Sequence, residues 1–269
     1  MTCSPRGSLP GVLRSLAGGV LYGETWGEGP PVAVALHGWR RTHTDFAASL
    51  GPAAPEGPLA CLAPDLPGFG ATPAPPAPWG SVDYAAAVAR LFEGNGDGDP
   101  EPPLVVVGHS LGGRIAVRLA AARPELVGAL VLTGAPLLPR AGGRRKPPPA
   151  AFRAARALHR AGLVSDEQME RARNRYGSAD YRAAEGVMRD VLVRLVNESY
   201  EDTLAALRCP VELVWGDDDT EAAVETARAL ERSIPQARLT LCPHAGHLLP
   251  LTAPAALRAA VERALARRS

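Results

Sequence analysis

Lysine is almost missing from this chain. Of its 29 basic residues only Lys146 is a lysine, and 28 acidic residues leave a formal net charge of +1. No global field attracts nucleic acid or an anionic lipid surface, so neither is expected as a partner; a small-molecule substrate at a local site is. Cysteine is scarce too. Cys3, Cys61, Cys209 and Cys242 are scattered with no C-x-x-C pair, a spacing that supports neither a zinc centre nor a disulfide framework and predicts reduced, buried thiols. No run of 18 uninterrupted apolar residues occurs, which argues against a membrane span. The opening stretch is broken by Arg6, Pro10 and Arg14 before any signal-peptide core can form, so a cytoplasmic protein is expected.

What the chain does have is length and strand-forming runs. With 269 residues it can bury roughly 70–75% of its unfolded surface without staples. "VAVALHGW" from Val32 and "LACLAPDLPGFG" from Leu59 read as buried strands ending in turns, the second stopping at Pro64. Their continuous apolar character is that of a parallel sheet covered on both faces. "SVDYAAAVARLFE" reads as a helix and "GNGDGDPEPP" as a solvent loop. The chain then runs strand "LVVVGHS", helix "LGGRIAVRLAAARP", strand "VGALVLTGAP", and later the strands "VELVWGDDD" and "ARLTLCP" before a closing helix. This rhythm predicts an α/β fold with a mostly parallel central sheet flanked by helices.

Between Pro136 and Arg208 the texture changes. A basic Pro- and Gly-rich connector, "PRAGGRRKPPP", leads into three helical segments, "AAFRAARALHRAG", "SDEQMERARNRYG" and "ADYRAAEGVMRDVLVRLVNES". The expected division is a core of residues 1–135 and 209–269 with an all-helical cap inserted at 136–208.

"VVVGHSLGGR" raises the central question, because three glycines crowd one serine. A nucleophile placed between strand and helix must project above the sheet edge, and the sharp turn this needs holds the serine in a strained conformation. Small residues two before and two after it let strand and helix approach. Gly108 and Gly112 meet that demand around Ser110, and Gly113 adds clearance. The turn aims the first amides of the helix, including that of Leu111, at the space beside Ser110, where they can stabilise developing negative charge. A phosphate loop fails on residue type, since neither G-x-x-x-x-G-K-[ST] nor G-x-G-x-x-G is present.

A serine hydroxyl needs a base, and the base an orienting carboxylate. Of the six histidines, His109 adjoins the serine and is expected to point away from it; His37 lies at a strand-turn; His43 and His159 have no supporting context; His244 and His247 share the loop "CPHAGHLLP". Asp217, Asp218 and Asp219 share one loop and are equivalent by spacing. Taken in order, "HGW", "PDLPGFGAT", "GHSLGG", "WGDDD" and "AGHLLPLTAP" resemble the landmarks of the α/β-hydrolase fold superfamily, from about Val32 to the final helix. That resemblance implies His247 as general base, with His244 a structural neighbour. It selects Asp219 through Gly-x-x-Asp from Gly216, makes Trp39 the second oxyanion-hole residue, and gives Asp65 a turn-ordering role.

Together these residues imply a serine-dependent hydrolase of small esters or related acyl compounds, with no cofactor and no metal. The same triad also serves C–C bond hydrolases, cofactor-free haloperoxidases and carboxylate-eliminating lyases, while a non-catalytic binding protein is the reading from a different class. Arg175, Arg182 and Arg189 are either clamps for a substrate carboxylate or the wet face of amphipathic helices. The apolar spacing of Val187, Val191 and Leu195 places Arg189 and Arg194 outside.

Overall fold

A computed structural model of the protein describes residues 12–93, 100–139, 150–176 and 178–268. Cys3, part of the solvent loop and nearly all of the basic connector lie outside these residues.

Eight strands form a single sheet: β1 (Arg14–Leu16), β2 (Leu21–Trp26), β3 (Ala33–Leu36), β4 (Cys61–Asp65), β5 (Leu104–His109), β6 (Val127–Thr133), β7 (Val211–Gly216) and β8 (Ala237–Cys242). Their spatial order is β1-β2-β4-β3-β5-β6-β7-β8. From β4 to β8 every neighbouring pair is parallel. Every residue of β3, β5, β6 and β7 is buried, which is why these segments read as mostly apolar runs, with Glu212 of β7 buried among them.

The hairpin of β1 and β2 was not visible in the sequence pattern. It adds an antiparallel edge through pairs such as Gly23 with Pro64 and Trp26 with Cys61. Its presence carries β4 one residue past Pro64, to Asp65.

Helices cover both faces. α1 (Ser81–Ala89) and α2 (Leu111–Ala122) lie on one side, where Tyr84, Val88, Ile115 and Leu119 meet Leu36, Val106, Leu130 and Leu132. Of the later helices, α3 is Ala150–Arg160, α4 Asp166–Tyr176, α5 Ala179–Ala183, α6 Gly186–Leu195, α7 Glu201–Ala206, α8 Val224–Ser233, α9 Leu249–Thr252 and α10 Pro254–Arg267. α10 closes the opposite face, packing Leu257, Ala260 and Val261 with Val105, Val107 and Val131.

Between β6 and β7 the regular elements among the described residues are helices, α3 to α7. The third predicted helical segment is two helices, α5 and α6, parted at Ala184 and Glu185, with Gly186 at φ +49° beginning the second. The apolar stripe of α6 is as expected, with Val191, Leu192 and Leu195 buried. Arg194 reaches back to the Pro78 carbonyl and to Asp83 of α1. Arg189 is occupied within its own region, bonding the Ala184 carbonyl and Glu170 and lying over the Tyr181 ring. From the sheet side, Arg114 donates to the Leu195 carbonyl, and Arg118 to Ser81, Thr203 and the Ser199 carbonyl.

Candidate functional site

The predicted nucleophile sits where β5 becomes α2. Ser110 has φ +50° and ψ −107°, a conformation a non-glycine residue adopts only under constraint. Its amide donates to the Thr133 carbonyl of β6 at 2.9 Å, and its carbonyl accepts from Gly113 and Arg114.

Gly108 and Gly112 sit where strand and helix approach closely. A Cβ on Gly108 would lie 2.6 Å from the Gly113 Cα, and one on Gly112 would overlap the Leu36 carbonyl. The Gly112 amide bonds the His37 carbonyl at 3.0 Å, so α2 is stitched to the end of β3. Gly112→Ala is therefore expected to lower Tm by about 6–12 °C, corresponding to about 3 kcal/mol of overpacking. Thermal unfolding followed by circular dichroism checks it, and an unchanged Tm would mean that helix and strand separate freely.

Leu111 is the first residue of α2, where an amide has no intrahelical acceptor. Trp39 follows Gly38 in a turn that Arg40 completes at φ +56°. His37 shapes this turn. Its Nε2 accepts from the Leu66 amide at 2.8 Å, so the proton is on Nδ1, which donates to the Gly38 carbonyl at 2.8 Å. Burial pushes this imidazole down to about 4 and keeps it neutral.

Asp65 orders the neighbouring loop by accepting from the amides of His43 and Ala71 and from the His43 ring. His43 thus gains the context its sequence neighbours did not reveal. The Trp39 indole packs edge-on against Phe69, ring centroids 5.0 Å apart, and the Met188 side chain from α6 lies against Gly68.

The loop after β7 and the loop after β8, which carry the aspartates and His247, are laced together. Asp217 accepts from the His244 amide at 2.7 Å, the Asp218 amide donates to the Ala245 carbonyl, and the buried Trp215 indole donates to the Ala222 carbonyl. Three neighbouring carboxylates are thereby given different work. Asp219 alone meets the imidazole of His247, with Nδ1 at 2.9 and 3.1 Å from its two oxygens. It also accepts from the amides of Glu221 and Ala222.

Burial opposes ionisation of Asp219, but the His247 hydrogen bond and the two amides outweigh it and hold the carboxyl below its usual range. Burial likewise opposes charge on His247, and here the hydrogen bond and charge of Asp219, with Glu221 beyond, raise the imidazole above its ordinary value. The remaining ring nitrogen, Nε2, has the Glu221 carboxylate 3.5 Å away. His244 makes its contact through its backbone.

Residues of β6 join the two halves. Thr133 binds the Ser110 amide, and the next residue, Gly134, has φ +58° and faces the His247 ring, which a Cβ there would approach to 3.0 Å. Among the described residues no cluster of three or more His, Cys, Asp or Glu could hold a metal, and no helix is long and apolar enough to cross a membrane.

The sequence model of the Alpha/beta hydrolase family matches residues 33–260. A lipase, LipV of Mycobacterium tuberculosis, is 45% identical over 104 residues, covering 39% of this chain and 37% of that protein. The pimeloyl-[acyl-carrier protein] methyl ester esterase of Chromobacterium violaceum is 32% identical over 247 residues, covering 84% of this chain and 91% of its own. The chain spans less than two thirds of the first curated relatives it matches, among them LipV and the putative carbamate hydrolase RutD of Cronobacter sakazakii, of which it covers 60%. Among solved structures, a serine hydrolase of carbazole degradation superposes with a TM-score of 0.69 at 22% identity, covering 96% of this chain and all of that one, a likeness of fold. The chain belongs to the alpha/beta hydrolase family.

Proposed function

We propose that the protein is a serine hydrolase of small-molecule esters or related acyl compounds, working through an acyl-enzyme at Ser110 without metal or cofactor. The observation that carries this reading is the pairing of His247 with Asp219 beside the strained turn that presents Ser110. Asp219 keeps the proton of the neutral imidazole on Nδ1, leaving Nε2 free to take the proton of Ser110 as its oxygen attacks the acyl carbon. The amides of Trp39 and Leu111 receive the oxyanion. His247 then protonates the leaving group, and water repeats the sequence to release the acid.

Residues 136–208 act as a cap over this centre. Met188 on the Gly68 loop and Trp39 beside Phe69 supply apolar surface for an acyl chain. Relatives named as a lipase and a methyl ester esterase favour carboxylic esters. Hydrolysis of p-nitrophenyl esters of graded chain length, with fluorophosphonate labelling of Ser110, tests the proposal; a chain that neither hydrolyses nor labels is not this enzyme.

The base works only when neutral, so kcat/KM rises with pH as His247 loses its proton. Because its neighbours raise that imidazole, the midpoint of the acid limb is expected above about 6.5, the ordinary histidine value. Glu221→Gln removes one source of the shift and is expected to move the limb to lower pH, modestly, because its carboxylate is exposed to solvent. A pH–rate profile of both proteins checks the sign.

A further inference from the structure

We infer that His109 is a positioning residue that sets the base against the nucleophile. This rests on Ser110 and His247 acting as proposed above. No proton transfer to substrate is asked of it.

The backbone at Ser110 turns so sharply that the side chain before it is directed into the protein. There the His109 imidazole, 1% exposed, meets both other parts of the site. Its Nε2 lies 2.9 Å from the main-chain carbonyl of His247 itself. A carbonyl can only accept, so Nε2 carries the proton and Nδ1 is the bare nitrogen. That nitrogen is buried and, among the described residues, has no hydrogen-bond partner. On this side the ring abuts Gly38 of the proposed oxyanion turn, where a Cβ would lie 2.8 Å from Nδ1. The two imidazoles pack with centroids 5.0 Å apart and planes tilted by 52°.

One ring thus fixes three distances: from the serine turn to the base loop, from the base loop to the oxyanion turn, and between the two histidine rings. The residues it joins are 138 positions apart in sequence, and the base loop follows β8, which lies at the sheet edge. A buried donor on that loop's carbonyl substitutes for support the sheet cannot give there. Burial, reinforced by the nearby His247 imidazole, drives His109 down to about 4, so the ring stays a neutral donor throughout the range in which the base titrates.

The test compares His109→Leu, which keeps bulk and loses the donor, with His109→Gln, whose amide can donate to the same carbonyl. In His109→Leu, fluorophosphonate labelling and kcat for a p-nitrophenyl ester should fall about 10- to 100-fold, as expected for a displaced catalytic group, with KM nearly unchanged. His109→Gln should recover most of the loss. A folded His109→Leu protein that labels and turns over like the parent overturns the inference, as does one whose loss lies in KM alone.

Should His109→Leu fail to fold, long-range 1H–15N spectra of the parent protein decide instead. His109 should appear as the Nε2-protonated neutral form and not titrate between about pH 5 and 8, whereas an unperturbed imidazole would. Titration in that window overturns the inference. If the parent itself fails to label, the proposed chemistry has failed, and the spectra still report on the His109 contact by themselves.

Discussion

Ser110→Ala is expected to lower kcat for a p-nitrophenyl ester by about 10^4- to 10^6-fold, the usual cost of removing a nucleophile that acts within a triad. In free energy this is about 5–8 kcal/mol of transition-state stabilisation. The fold should survive. Alanine at this position keeps the same backbone demands, and the contacts that hold the turn are main-chain ones, from the Ser110 amide to Thr133 and from Gly113 and Arg114 to the Ser110 carbonyl. A Tm close to that of the parent, with labelling by fluorophosphonate abolished, completes the expected result. Undiminished hydrolysis by a homogeneous Ser110→Ala preparation would remove this residue from the chemistry.

Asp219→Asn is the second large effect, at about 10^4-fold in kcat. The oxygen of asparagine can still accept from the amides of Glu221 and Ala222, so the loop retains its shape. Its nitrogen, however, is a donor. Facing His247 Nδ1, it would drive the imidazole to the tautomer protonated on Nε2, which cannot accept the serine proton. KM should change little, because the carboxylate is buried behind the ring. Asp217→Asn and Asp218→Asn serve as controls and should keep most of the activity, since Asp217 bonds the His244 amide and Asp218 engages Ala245 through its backbone. Steady-state kinetics on the three variants would expose a wrong choice among the carboxylates at once.

The legibility of this molecule differs by element for physical reasons. The inner strands were readable because parallel strands covered on both faces have no wet side, so β5 and β6 are buried throughout and apolar up to their last residues, His109 and Thr133. The glycines at 108 and 112 were readable because only a collision of backbones requires them in that spacing. β1 and β2 were not readable: an edge hairpin is short, and in "LYGETW" one buried position is a glycine, followed by the half-buried Glu24 and Thr25, so no apolar alternation forms. The break between α5 and α6 also escaped, because Gly186 sits inside a pattern that is otherwise helical in period. Spacing left three aspartates equivalent, since the choice depends on which one β7 delivers to an imidazole 28 residues later. His109 was expected to face away from Ser110. That a ring so directed would meet the main chain of His247 depends on the packing of a distant loop, about which local sequence carries no information.

For the proposed chemistry, the order of the strands along the chain sets when the site can be completed during synthesis. The serine turn grows out of β5 in the middle of the sheet, whereas the partners assigned to it follow β7 and β8, the last two strands added. A nascent chain that has emerged only as far as β6 already carries the serine proposed as nucleophile but neither the imidazole nor the carboxylate proposed to activate it. On that proposal, reactivity cannot arise before the segment that follows β8 has been made.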